Sequence, residues 1–167
     1  MPRLIYLLCL APLVLLGAMG GFFYAYSVSV MPGLGNLPEA EAIRAMQELN
    51  RGTRNGVFLF TFLFTPFLTL GCAAVLYIKG RRRAGLFLAA AGAVYFCGSF
   101  LPTVNVSVPL NHALEAIDST SISAADAVAL WSDYSADWTF WNTLRAVMAL
   151  IGLGLAATAM HSAARIS

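Results

Sequence analysis

The sequence predicts an all-α fold: a four-helix transmembrane bundle with short amphipathic helices capping the extracytoplasmic side. The first observation is composition, because 59% of the 167 residues are hydrophobic and only 11% are charged, against about 25% charged residues in a soluble domain. The second is the presence of four apolar segments, each long enough for a helix across a hydrocarbon core of about 30 Å. The third is that the longer connections carry helix caps and amphipathic stripes.

We expect one four-span membrane domain over residues 1–167. The first apolar run is longer than the roughly 7–15 apolar residues of a signal peptide, so we expect it to be retained as a span. Arg145, in the fourth span, is the only charged residue in any span. The predicted spans are about 4–30, 57–78, 84–106 and 138–160, with outer connections 31–56 and 107–137 and a cytoplasmic turn at 79–83.

The charge distribution predicts the orientation. Basic residues fill the turn between spans two and three and flank the first and last spans (Lys79, Arg81, Arg82, Arg83, Arg3 and Arg165). By the positive-inside rule these regions are cytoplasmic. The acidic residues all fall in the outer connections: Glu39, Glu41, Glu48, Glu115, Asp118, Asp126, Asp133 and Asp137. We therefore expect a multi-pass protein of the cell inner (plasma) membrane with both termini cytoplasmic.

The first outer connection is predicted to contain a short helix. Asn36 is a suitable cap with Glu39 three residues later, and Gly52 is a suitable stop. An apolar stripe at helical spacing runs between them, formed by Ile43, Met46 and Leu49.

The second outer connection is predicted to contain two short helices. Pro109 suits the start of one, and Ser123 with Asp126 suits the capped start of the next. Together with the helix of the first connection, they would form a lid over the outer end of the bundle or lie on the membrane surface.

One polar and aromatic cluster lies at the outer end of the fourth span. Trp138, Trp141, Asn142 and Arg145 recur at spacings of three and four, which places them along one helix face. Arg145 lies seven residues after Trp138, about 10 Å deeper. A cation at this depth is costly and indicates either a functional interior position or an arginine that snorkels beneath an aromatic belt. The residue types alone leave both interpretations open.

A second polar set lies at the outer end of the third span, around Pro109. Its members are Asn105, Ser107, Asn111 and His112. Such side chains either form hydrogen bonds with backbone groups that lose their partners at a helix break, or form hydrogen bonds with a ligand.

Metal and disulfide chemistry are not predicted. His112, Glu115 and Asp118 resemble an incomplete metal site, but their spacing is loose. The three cysteines lie in separate apolar segments, as expected for small buried hydrophobes (Cys9, Cys72 and Cys97). The net charge of +2 is too small and too scattered for a nucleic-acid partner.

Several motifs resemble one known family. FFYAYS at 22–27 is followed by VMPGL at 30–34, VPLN occurs at 108–111, and WTxWNxxR occurs at 138–145. These runs are similar to those of the DUF1772 family, which is grouped with the anthrone oxygenases, and the likeness extends from about Gly21 to Arg145.

The resemblance implies a four-helix membrane protein and oxidation of anthrones to anthraquinones without a metal or flavin, so no cofactor is expected. The deprotonated substrate would react with O₂ directly. By the same resemblance, Asn111, Trp141, Asn142 and Arg145 become pocket residues, with Arg145 favouring a phenolate or enolate.

Two positions depart from the family pattern. Ser107 stands where an asparagine is expected, and Thr143 stands where a histidine often follows the Trp-Asn pair. If that histidine is the general base in relatives, His112 is its nearest substitute here.

The candidate site therefore has two groups of residues. The catalytic candidates are Arg145, Asn142, Asn111 and His112. The substrate-binding candidates are Trp138, Trp141, Asn105 and Ser107.

Three functional hypotheses follow. The first is an anthrone-oxygenase-like enzyme that binds or oxidises a polycyclic, quinone-like or other hydrophobic aromatic molecule. The second is a non-catalytic accessory subunit of a larger membrane complex. The third is a carrier of a hydrophobic ligand, which four spans without an internal repeat favour least. The expected partners are the lipid bilayer, a hydrophobic aromatic small molecule, and a larger membrane complex or further copies of the chain.

Overall fold

The computed structural model describes residues 2–165, and over this range it consists of five helices with no strand. The all-α prediction is confirmed. The helices are α1 (Arg3–Leu34), α2 (Glu39–Gly52), α3 (Gly56–Ile78), α4 (Arg82–Glu115) and α5 (Ala124–Ala164).

Helices α1, α3, α4 and α5 are each long and apolar enough to cross a bilayer, and each contains one predicted span. They expose many large apolar side chains. On α3, for example, Phe60, Phe64 and Phe67 are each more than half exposed. Apolar surface on this scale is not stable in water, and the chain is therefore a multi-pass membrane protein.

The four long helices form a ring in which α1 packs on α5, α5 on α4, and α4 on α3, with α3 closing on α1. A close approach of the two backbones lies beside the turn between α3 and α4. A Cβ on Gly85 would meet the Ala73 carbonyl oxygen at 2.9 Å, so only glycine fits there. Gly80 in the turn has φ +79°, a conformation that glycine adopts without strain.

Helix α5 is longer than a bilayer is thick. Its 41 residues extend about 60 Å at 1.5 Å per residue, roughly twice the hydrocarbon thickness. Its first turns therefore project beyond the apolar core. The predicted cap is present, because Ser123 Oγ accepts a hydrogen bond from the Asp126 amide at 3.2 Å.

The two short helices predicted for the second connection are continuous with spans. The segment after Ser123 continues into the fourth span because no helix-breaking residue interrupts it. The segment at Pro109 continues the third span. There the local winding changes to a π-helix over Thr103–Ser107, and the proline follows in the first turn of the next α-helical segment, where its missing N–H costs little.

Helix α2 is the separate amphipathic helix of the first connection. Its N-cap is Pro38, which makes no side-chain capping bond, so the expectation of an Asn36 cap was wrong. Proline fixes its own φ angle at the helix start. The Glu39 carboxylate in the first turn interacts favourably with the positive end of the helix dipole. Gly52 is the last helical residue as predicted, although the Thr53 C-cap is right-handed.

The buried face of α2 packs on the bundle. Ile43 and Met46 are fully buried and pack with residues of α1, α4 and α5. Gln47, 5% exposed, donates from Nε2 to the carbonyl oxygens of Leu114 and Ile117, both at 2.9 Å. Because helix C-termini leave carbonyls without intrahelical partners, Gln47 caps the end of α4 and fixes α2 as a lid.

Replacement of Gln47 by leucine should loosen this lid. The substitution leaves the part-buried Ile117 carbonyl without this donor and leaves the Leu114 carbonyl with only the Ile117 amide at 3.2 Å, at a cost of about 2 kcal/mol. We expect a lower thermal midpoint in detergent and faster proteolysis near α2. Arg51→Gln is the control, because its ion pair with Glu48 is about half exposed and contributes little. Equal stability of the two variants would contradict this role of Gln47.

Candidate functional site

A cavity of about 160 Å³ lies inside the ring of helices, directly beneath α2. One wall is aromatic and comes from α1 and α3. The opposite wall is polar and comes from α4 and α5. The aromatic wall includes Phe22, Phe23, Tyr26, Phe58 and Phe62, and the polar wall includes Thr103, Ser107, Asn111, Asn142 and Arg145.

Arg145 is the central feature of the polar wall. It is 4% exposed, so it does not snorkel to the surface. No carboxylate in residues 2–165 forms a salt bridge with it. Its guanidinium carbon instead lies 4.8 Å from the Phe23 ring centroid and 5.3 Å from that of Trp138. These cation–π contacts leave a positive charge that no anion of the described chain neutralises.

Hydrogen bonds fix the guanidinium from two sides. Arg145 donates from one terminal nitrogen to Thr103 Oγ1 at 3.1 Å and from the other to Asn142 Oδ1 at 3.0 Å. Asn142 in turn donates from Nδ2 to the Phe23 carbonyl oxygen at 2.7 Å and to Ser27 Oγ at 2.8 Å. The network links α1, α4 and α5, so the arginine is held in one orientation.

Asn111 positions Trp138 over the arginine. Its Oδ1 accepts hydrogen bonds from Trp138 Nε1 and from the Tyr134 hydroxyl, both at 2.9 Å. The indole is 5% exposed, and a buried indole N–H requires an acceptor. The asparagine amide thus sets the indole plane that contacts Arg145.

Three π-helical segments surround the site: Tyr26–Val30, Phe96–Phe100 and Thr103–Ser107. Such widened turns occur frequently at functional sites. Here two of these segments supply hydroxyl groups that contact Arg145. The Thr103 hydroxyl accepts from the guanidinium, and Ser99 Oγ donates to the Arg145 carbonyl oxygen at 2.9 Å.

Several buried polar atoms of residues that line the cavity have no hydrogen-bond partner in the described range. They are Arg145 Nε, Ser107 Oγ and Asn50 Nδ2, and all three residues line the cavity. Unpaired buried polar groups are rare in folded proteins because each costs about 1–3 kcal/mol. These three residues come from α2, α4 and α5, so the unpaired groups are concentrated around one cavity.

The cavity mouth is charged. Arg54 and His112 line it, and Arg54 forms an ion pair with Glu115. The hydrogen bond to Glu115 raises the pKa of Arg54, which keeps this guanidinium protonated. The side chain of His112 is 65% exposed, with Nδ1 3.9 Å from a Glu115 oxygen, so it is accessible to water and protons.

The structure brings six of the eight sequence-predicted site residues to this cavity: Arg145, Asn142, Asn111, His112, Trp138 and Ser107. Trp141 is not part of its lining and instead packs edge-on against Phe140. Asn105 is exposed, and its amide bonds to the Leu101 carbonyl of its own helix.

Residues 2–165 contain no cluster of three or more histidine, cysteine or carboxylate side chains positioned to hold a metal ion. Of the candidate trio, Asp118 instead accepts hydrogen bonds from Thr120 and Ser121 in its own loop.

Sequence reasoning missed the residues contributed by distant segments. Phe23, Asn50 and Thr103 contact the site from three different helices. Asn50 carried a positional signal, since it lies on the same helix face as Ile43, Met46 and Gln47, one turn beyond the stripe, and Phe23 lies within the FFYAYS motif.

A family model provides the decisive comparison. The model described as anthrone oxygenase matches residues 57–155, more than half of the chain. The chain belongs to the anthrone oxygenase family. The resemblance predicted from sequence is thus confirmed, and the matched region includes the VPLN and WTxWNxxR motifs. The search of curated proteins and the search of solved structures found no match.

The anthrone oxygenase match includes most of the polar wall but omits α1 and α2, which precede residue 57. Phe22, Phe23, Tyr26 and Asn50 therefore enter the site from outside the matched region. The aromatic wall is consequently shared between α1 and the matched part of the chain.

Replacement of Asn111 by leucine should disturb Trp138. Two largely buried donors lose their acceptor, which costs about 2–3 kcal/mol and lowers the thermal midpoint by roughly 5 °C. Asn105→Leu on the same helix is the control, because that amide is exposed and bonds only within its helix. If both variants have the same thermal midpoint as the parent protein, Asn111 does not position the indole.

Proposed function

We propose that this member of the anthrone oxygenase family binds a planar hydrophobic aromatic molecule with an ionisable oxygen and promotes its oxidation by O₂. The observation that carries the proposal is Arg145, a buried guanidinium without a carboxylate partner that lines a cavity. A desolvated unpaired cation is strongly unfavourable in an apolar medium. A phenolate or enolate ligand supplies the missing negative charge.

The aromatic wall supports a flat ligand. Phe58 and Phe62 both line the cavity, and their rings are parallel within 1°, with centroids 6.0 Å apart. A polycyclic aromatic can pack against such rings in offset-stacked or edge-to-face arrangements. The unpaired donors of the polar wall would bind its oxygen atoms.

The chemistry requires one proton acceptor and electrostatic stabilisation. For an anthrone, the ring CH₂ loses a proton and the resulting enolate transfers electrons to O₂. One oxygen atom becomes the new carbonyl oxygen and the other leaves as water. In this proposal His112 at the mouth accepts the proton, Arg145 stabilises the enolate oxygen, and Asn111 and Ser107 hydrogen-bond to the substrate.

Cavity size indicates how the substrate enters. A cavity of about 150 Å³ accommodates one benzene ring, so the inner cavity of about 160 Å³ fits the oxygen-bearing end of a three-ring molecule. A larger groove of about 590 Å³ adjoins it and shares Phe22, Tyr26 and Phe58 as a common wall. Displacement of these rings would join the two spaces.

We also propose that the cavity opens toward the extracytoplasmic side of the inner membrane, with both termini in the cytoplasm. The acidic residues lie in α2, at the end of α4, in the following loop and in the first turns of α5, and the Lys79–Arg83 turn lies at the opposite end. The positive-inside rule favours this orientation.

Removal of the Arg145 charge should abolish oxidation without unfolding the protein. Arg145→Met retains apolar volume but removes the cation, and oxygen uptake with an anthrone should fall about 100-fold or more. The thermal midpoint should change little, because replacement of an unneutralised buried charge by an apolar group offsets the lost hydrogen bonds.

Arg145→Lys provides the matched control, since it keeps the charge and should retain part of the activity. Unchanged oxygen uptake by the well-folded Arg145→Met variant would contradict the proposed function. Retained anthrone binding with no uptake by the parent protein would favour a hydrophobic-ligand carrier instead.

Truncation of Phe22 should ease entry of large substrates. Phe22 packs on Phe58 with ring centroids 4.8 Å apart, and parting such a pair costs about 1 kcal/mol. Phe22→Ala keeps the Phe58 ring on which the substrate stacks and should therefore lower KM about fivefold for a three-ring anthrone and leave a one-ring hydroquinone unaffected. Phe60→Ala is the control, because that ring is 58% exposed on the outer face of α3. Equal changes for both substrates would exclude this wall as the entrance.

A further inference from the structure

At the opposite end of the bundle from the candidate site, we propose a second binding site, which takes the phosphate of an anionic lipid headgroup. A cavity of about 160 Å³ lies between the start of α4 and the end of α5. Its lining consists of Arg83, Phe87, Thr158, His161, Ser162 and Arg165. None of these residues belongs to the site around Arg145, so this inference is independent of the proposed function.

The charge of this cavity has one sign. Arg83 and Arg165 approach from two different helices, and His161 lies one turn from Arg165. The carboxylate side chains of the sequence all lie between residues 39 and 137, at the far end of the helices. No side-chain salt bridge therefore neutralises the two guanidiniums, which are well suited to bind phosphate oxygens.

Hydroxyl groups complete the polar part of the site. The half-buried Ser162 lines the cavity beside the cations, and a serine hydroxyl can donate to a phosphate oxygen. Thr158 already donates to its own helix at Gly154, so it contributes mainly its methyl group. The adjacent ends of α4 and α5 have opposite dipoles that offset each other, and the side chains therefore decide the preference for anions.

An apolar wall adjoins the charges and favours a lipid over free phosphate. Phe87 lies one turn deeper in the bundle than Arg83. The guanidinium carbon of Arg83 is 5.9 Å from the centroid of the Phe87 ring. A headgroup phosphate at the arginines would thus place its acyl chains along Phe87. Basic pockets between membrane helices bind anionic headgroups in this manner.

Native mass spectrometry of the purified protein tests the site. The full chain in mild detergent is supplied with equal amounts of phosphatidylglycerol and phosphatidylcholine. We expect one phosphatidylglycerol to be retained preferentially. Arg83→Gln should weaken its retention about tenfold, the effect of one charge-assisted hydrogen bond, and Arg165→Gln on the other helix should act similarly.

Arg82→Gln is the matched control, because it removes the same charge one residue away. Arg82 lies over the Tyr77 ring and is absent from the cavity lining. Preserved retention in Arg82→Gln, with loss in the two cavity variants, supports the site. Equal retention of the two lipids by the parent protein, or equal loss in all three variants, would overturn it.

Inorganic phosphate distinguishes the two sources of the anion. If millimolar phosphate displaces phosphatidylglycerol from the parent protein but glycerol does not, the cavity binds phosphate itself. The anion site is then supported, with soluble phosphate as its ligand. If phosphate leaves the lipid bound, the acyl chains contribute and the lipid assignment stands. Oxygen uptake by Arg83→Gln should remain normal, which separates this test from that of the Arg145 site.

Discussion

A buried cation without a carboxylate partner is the constraint on which the rest of this molecule depends. The guanidinium of Arg145 lies between the Phe23 and Trp138 rings, and its hydrogen bonds go to neutral oxygens of Thr103 and Asn142. In a lipid-embedded bundle such a group is tolerated only where the surrounding structure fixes it. The same arrangement leaves its charge available to a ligand.

The half of the bundle beneath α2 is built around that arginine. The π-helical segments widen α1 and α4 at the level where polar side chains must face inward. Helix α2 then closes the cavity from above, held by Gln47 at the end of α4. Stability and site geometry are thus coupled, because the groups that cap helix ends also enclose the cavity.

The two ends of the bundle have different chemistry. The end beneath α2 combines a single buried charge with aromatic rings, which suits a flat hydrophobic anion and agrees with membership of the anthrone oxygenase family. The other end combines the Arg83 and Arg165 side chains with the Phe87 ring. The two proposed ligands, a substrate dissolved in lipid and a phosphate at the membrane surface, would therefore contact different sets of side chains.

The sequence by itself determined the helical class, the four apolar helices and the lone intramembrane charge, because hydropathy and local spacing encode them directly. The family followed separately, from the resemblance of the sequence motifs. It also predicted Asn142, Trp138 and Asn111 as neighbours of Arg145. Only the tertiary structure decided that Arg145 is buried rather than snorkelling, that Trp141 and Asn105 lie outside the cavity, and that Phe23, Asn50 and Thr103 join it. Those contacts join residues from four helices, and periodicity within one helix carries no information about which face of another it meets.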